Sequence, residues 1–117
     1  MKADAIQIFK ALGDQNRLRI MKMLEQRELC VCEIRTVLKL SNSTVSEHLA
    51  VLRDAGLIHD TKSGKWVNYR LNKCTKDQFI QNTLHFLKLS LASNGVLKSD
   101  ITKVKMVDRV KICCNTN

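Results

Sequence analysis

Five cysteines are the residues of this 117-residue chain best suited to chemistry, and their spacing sorts them into three groups. Cys30 and Cys32 stand two apart in Arg27-Glu28-Leu29-Cys30-Val31-Cys32-Glu33-Ile34-Arg35, Cys74 stands alone, and Cys113 and Cys114 are adjacent. Thiolates are soft ligands and favour soft ions. The Cys-Val-Cys stretch therefore admits three readings: a buried apolar pair, a redox switch, or part of a metal site. Geometry constrains the third. On a regular helix, residues two apart point to opposite sides, whereas in an extended segment they share a side. Chelation by both thiols requires residues 30–32 to be non-helical or to become so. A helix start here, with Arg27 and Arg35 nearby, favours thiolate, and Glu28 and Glu33 oppose it. Cys74 reads as a buried, cap-like small residue, because cysteine is so often buried. An odd number of cysteines does not fit a closed disulfide framework. Reduced thiols and a cytoplasmic location are expected, since Met1-Lys2-Ala3-Asp4 leads into no signal-like apolar stretch. No Gly-rich loop adjoins a cysteine and no His-Asp pair stands beside one, so a thiol enzyme such as an arsenate reductase is not expected.

The elements that must position these thiols read as closely spaced helices interrupted once by a strand pair. The chain is 44% hydrophobic and 26% charged, enough for one modest core, and no apolar run is long enough to span a membrane. Ala5, Ile8, Phe9 and Leu12 form one helical stripe, ended by Gly13, and Asp14 is placed to cap a second helix carrying Leu18, Met21 and Leu24. Val31, Ile34 and Leu38 mark a short third helix. Ser41 is a plausible N-cap for a fourth, with Val45, Leu49 and Leu52 inward and Gly56 at its end. The third and fourth helices, joined by a tight polar turn, make a helix-turn-helix. Val67, Tyr69 and Leu71 then alternate beyond the turn-like Lys62-Ser63-Gly64-Lys65, which predicts a β-hairpin wing. Helical spacing returns from about 76 to 92, through Phe79, Ile80, Thr83, Leu84, Leu87 and Leu91. That stripe is wide enough to pack on a second copy of the chain. Beyond it, Ile101, Val104, Val107 and Val110 step by three, which favours a short helix in a C-terminal extension, residues 93–117. Residues 1–92 are expected to form one winged helix-turn-helix unit. The fold class is mainly α with a small β-hairpin.

Twenty Lys and Arg against eleven Asp and Glu give a net charge of +9, which points to a polyanion partner. With a helix-turn-helix and a basic wing, the partner is double-stranded DNA. The helix after Ser41 is the recognition helix, presenting Ser43, Thr44, Ser46, Glu47 and His48 from its N-terminal half. The hydroxyls suit phosphate oxygens or either base edge, and His48 can reach a base or a phosphate. Lys39 at the turn, and Lys62, Lys65 and Arg70 on the wing, are placed to follow the backbone.

The stretches "IFKALGDQNRLRIMKML", "ELCVCEI", "LSNSTVSEHLAVLRDAGLI" and "GKWVNYRL" together resemble the ArsR/SmtB family of metal-responsive winged-helix repressors over about residues 5–92. The resemblance implies a homodimer built on the helices near 4–12 and 76–92. It also implies operator binding without ligand and release from DNA when a metal or metalloid binds. Of the family's sensor positions, the zinc-type site on the last helix is not matched, because that helix offers only Asp77, Gln78 and His85. The thiolate site at "ELCVCEI" is matched in part. The family's arsenic-sensing version has a third cysteine three residues after the second, and here that residue is Arg35. The resemblance thus implies two metal ligands, Cys30 and Cys32, and withholds the third. A free Cys-Cys pair near the C-terminus is a liability without a use, so Cys113 or Cys114, from the same or the other subunit, is expected to complete the site; a separate site on the tail pair alone is the rival layout. The inducer is arsenite or antimonite, with cadmium or lead as the alternative ions, and no organic cofactor is implied. A repressor of the same fold that senses oxidants or persulfides through a sulfur bridge is the other reading.

Overall fold

The computed structural model describes residues 4–91 and 94–109. Helices α1 (Ala5–Leu12), α2 (Gln15–Leu24), α3 (Val31–Leu38) and α4 (Asn42–Asp54) come first, with a two-residue strand β1 (Leu29–Cys30) before α3. Strands β2 (Ile58–Ser63) and β3 (Trp66–Leu71) follow, then α5 (Gln78–Leu89) and α6 (Gly95–Met106). Short polar residues start most of the helices. Asp4, Asp14, Ser41, Asp77 and Asn94 each accept backbone N–H groups of the first turn, which have no partner inside the helix. Gly56 ends the α4 turn at φ +84°, a conformation that strains other residues, and a Cβ there would lie 2.9 Å from Ile80 Cδ1.

Ile8, Ile20, Met21, Leu29, Ile34, Val45, Leu49, Leu52 and Leu57 are fully buried together, so α1–α4 and the sheet share one core. Val45, Leu49 and Leu52 are the buried face of α4, as their spacing predicts. The hairpin is present: Ser63 pairs with Trp66 across Gly64-Lys65, and the register runs back to Ile58 opposite Leu71. The sheet has a third strand that the sequence did not predict. It is antiparallel in the order β1-β3-β2, with Leu29 opposite Tyr69 and Cys30 opposite Asn68.

Helix α6 lies against α2 and α3. Its buried residues are Leu97, Asp100 and Val104, a stripe beside the expected one; Ile101 is half-buried, Val107 follows the helix end, and Val110 lies outside the described residues. The reason is an ion pair. Arg19 on α2 grips Asp100 with Nε at 2.8 Å and Nη2 at 3.0 Å, and Asp100 is only 1% exposed. Buried Lys22 donates to the Leu87 and Ser90 carbonyls, at 2.6 and 3.2 Å, and so caps the end of α5. One expectation is corrected here: Cys74 is exposed, not buried. Asn72 takes the buried place after β3, where its Nδ2 donates to the Gly56 carbonyl and its Oδ1 accepts from His59.

Candidate functional site

The two thiols at 30 and 32 fall on either side of a conformational boundary. Cys30 is extended, with φ −94° and ψ 168°, while Cys32 is the second residue of α3. Cys30 is at once the last residue of β1 and the N-cap of α3. Its backbone N–H donates to Glu33 Oε1 at 3.0 Å, and its sulfur faces the Glu33 N–H. This is a capping box in which a thiol replaces the usual hydroxyl.

Glu33, 2% exposed, is the polar centre of the site. Arg27 Nη1 donates to its Oε2 at 3.1 Å, and Arg109 Nη2 to its Oε1 at 3.0 Å. Arg27 also donates to the Val104 and Val107 carbonyls, both at 3.1 Å, tying the end of α6 beside the cysteine stretch. Arg109 extends the network into the hairpin: Nη1 donates to Asn68 Oδ1 at 2.5 Å, and its guanidinium lies 5.3 Å from the centre of the Trp66 ring. Burial pushes the Cys30 thiol above its ordinary range, and the Glu33 charge adds to that, against the opposing pull of the Glu33 N–H and Arg109. Burial thus outweighs the helix-start effect that favours thiolate.

Cys32 is disulfide-bonded, while Cys30 and Cys74 are both free. Cys74 is exposed in the stretch between β3 and α5. Cys113 and Cys114 lie outside the described residues. Among the described residues no group of three or more His, Cys, Asp or Glu is placed to hold a metal ion. Arg35 is half-buried on α3, and its Nε is buried without a hydrogen-bond partner. The sequence reading missed the role of Glu33, whose signal was present: an acid three residues after an N-cap. It also missed Arg109, for which no local signal exists.

The basic and hydroxyl residues expected at DNA lie on one helix and its neighbours. Ser43 and Ser46 are exposed on α4, and Thr44 is half-buried. The Ser41 hydroxyl donates to Thr44 Oγ1 at 2.9 Å and lies 3.2 Å from the Ser43 hydroxyl, so the three form one cluster at the α4 start. His48 is half-buried, with Nδ1 3.2 Å from Arg17 Nη1. Lys39 is exposed at the left-handed end of α3, φ +59°. Lys62, Lys65 and Arg70 are exposed on the hairpin, with Arg70 Nη1 2.7 Å from Thr61 Oγ1 and Lys65 Nζ 4.9 Å from the Trp66 ring centre. Arg53 of α4 pairs with Asp60 of β2 at 3.1 Å, which fixes the hairpin against the helix. On another side, Ile6, Phe9, Phe86 and Leu89 form an exposed apolar face on α1 and α5, each at least 65% exposed, and Phe9 meets Phe79 edge-on at 6.0 Å.

Residues 14–60 match the family described as bacterial regulatory protein, arsR family. The chain is 53% identical over 68 residues to the Arsenical resistance operon repressor of Escherichia coli, a match that takes in 57% of this chain and 58% of that protein. It is 35% identical over 115 residues to the Arsenic resistance transcriptional regulator ArsR2 of Pseudomonas putida, across 92% of this chain and 95% of that one. Among solved structures, reduced HlyU from Vibrio cholerae superposes with a TM-score of 0.61 and 34% identity, covering 74% of this chain and 87% of that one. The Escherichia coli and Pseudomonas putida relatives are regulators by name, and no helix among the described residues is long and apolar enough to cross a membrane.

Proposed function

Since the chain belongs to the ArsR family of bacterial regulatory proteins, we propose that it is a cytoplasmic transcriptional repressor that binds operator DNA as a homodimer and lets go when arsenite or antimonite binds its thiols. The observation that carries this reading is the position of Cys30. It pairs with Asn68 in the wing strand β3 and caps α3, the first helix of the helix-turn-helix. A ligand held by its sulfur acts on both DNA-contacting elements at once. Condensation of three neutral thiols with As(OH)₃ releases three waters and needs no net change in charge, which suits a buried thiol that keeps its proton.

Cys30 and Cys32 supply two donors, and Cys113 or Cys114 supplies the third. Two facts support this choice. Cys32 is disulfide-bonded, so its sulfur is open to thiol chemistry, and Cys30 two residues before it is free. Arg109 is anchored on Glu33, and four residues of chain reach at most about 14 Å, enough to bring position 113 back to the cysteine stretch. Bringing both 30 and 32 onto one ion unwinds the first turn of α3, because Cys32 is helical here. That loosens the capping box and the β1–β3 pairing together. Coupling of this kind is typically about 1–3 kcal/mol, or roughly 5- to 150-fold in operator affinity. The apolar face of Ile6, Phe9, Phe86 and Leu89 is the dimer surface, since a patch of this kind rarely stays open in a monomer.

The disulfide at Cys32 favours one second reading, release by an oxidant or persulfide. Fluorescence anisotropy of a labelled duplex, selected by the protein from a random-sequence pool, separates the two. Release of the reduced protein's duplex by arsenite supports the first; release by peroxide or polysulfide and never by arsenite overturns it.

A further inference from the structure

Arg17 does work that no DNA-facing residue explains. Its Nε donates to the Ala11 carbonyl at 2.7 Å and its Nη2 to the Lys10 carbonyl at 3.3 Å, both in the last turn of α1. Its backbone N–H is held by the Asp14 carboxylate at 3.1 Å. The remaining Nη1 reaches across to His48 Nδ1 on α4, at 3.2 Å. A guanidinium has five N–H donors and no acceptor. The Nδ1 of His48 must therefore offer its lone pair, and the ring's single proton sits on Nε2.

We infer that Arg17 is a positioning residue for DNA recognition: it holds His48 as the Nε2–H tautomer, so that the ring faces the DNA as a hydrogen-bond donor. The inference rests on α4 being the recognition helix, and it deepens that reading by fixing the chemistry of one contact. An Nε2–H meets a phosphate oxygen, a purine N7, guanine O6 or thymine O4, and it cannot accept from the cytosine amino group. Because Arg17 grips the α1 carbonyls with its other nitrogens, it also sets α4 relative to the helix that carries Ile6 and Phe9.

The test has two parts, both on the full chain. Long-range proton–nitrogen NMR of the wild type reads the tautomer, with His48→Ala identifying the signal among the three histidines. The expected result is a protonated Nε2 and a lone-pair Nδ1; a proton on Nδ1 overturns the inference whether or not DNA is bound. Anisotropy with the selected duplex then follows Arg17→Met, His48→Ala and the double variant. Each single change is expected to weaken binding about 5- to 30-fold, and the double change no more than the worse single one. Losses that add overturn the inference. Arg17→Lys, which keeps the charge but cannot span both partners, is expected to lose the tautomer bias and covers the case in which Arg17→Met fails to fold. A wild-type chain that selects no duplex sinks the reading of α4, while the tautomer result still stands by itself.

Discussion

Arg109 and Glu33 are 76 positions apart in sequence and meet at 3.0 Å, on the carboxylate that also receives the Cys30 backbone N–H. Through Asn68 and Trp66 the same guanidinium touches the hairpin. The cysteine stretch, the chain beyond α6 and the wing are thus held by one side chain. Arg109→Ala is expected to cost about 1–3 kcal/mol in urea unfolding, because a nearly buried carboxylate loses one of its two cations. The single tryptophan, Trp66, reports the same change as a fluorescence shift in the folded state. Unaltered stability and spectrum would remove Arg109 from the network.

The wing contact has a salt signature. Lys65→Ala should weaken binding to all duplexes alike and flatten the slope of affinity against salt by about one unit. A slope equal to that of the wild type takes Lys65 off the phosphate backbone and leaves it as a cation resting on Trp66.

How far the sequence spoke depended on the range of the interactions. The caps at Asp14 and Ser41, the stripe of Val45, Leu49 and Leu52, and the Gly64 turn all follow from residues within a few positions of one another, and each is where its spacing predicts. Strand β1 was not legible, since two residues carry no period and its partner Asn68-Tyr69 is far along the chain. The inward face of α6 was misread because Asp100, a polar residue on its own, is buried by Arg19. Cys74 was misplaced for a related reason: burial statistics for cysteine do not know that Asn72 holds the buried position beside it. At the site, Cys30 and Cys32 stood out by type and spacing, whereas Arg27, Arg109 and Arg17 act through contacts that only the fold creates.

The apolar face on α1 and α5 predicts an assembly change. Phe86 is 66% exposed, so Phe86→Asp leaves the folded chain intact while placing a charge in the proposed dimer surface. Sedimentation should show a dimer for the wild type and a monomer for the variant, with duplex affinity falling as well. A variant that sediments as the wild type does moves the dimer surface elsewhere.

Cys30 gives a pH dependence with a definite sign. Burial raises its pKa in the folded state, so the unfolded chain loses that proton first. The stability tied to it is complete below the ordinary thiol value of about 8.5 and declines as pH rises through the folded value. Urea midpoints of the reduced wild type should fall more steeply above about pH 8.5 than those of Cys30→Ser. Parallel curves would mean that the thiol ionises alike in both states.

The central claim is that Cys30 and Cys32 hold a metalloid together with a third thiol from Cys113 or Cys114. Ultraviolet titration of the reduced protein with arsenite tests it most directly, using wild type, Cys30→Ser, Cys32→Ser, Cys74→Ser and the Cys113→Ser/Cys114→Ser double variant. The account predicts one arsenic per chain with loss of three thiols, abolished by Cys30→Ser and Cys32→Ser, weakened to two thiols in the tail double variant, and unchanged in Cys74→Ser. Full three-thiol binding in the tail double variant, or intact binding in Cys30→Ser, would contradict it.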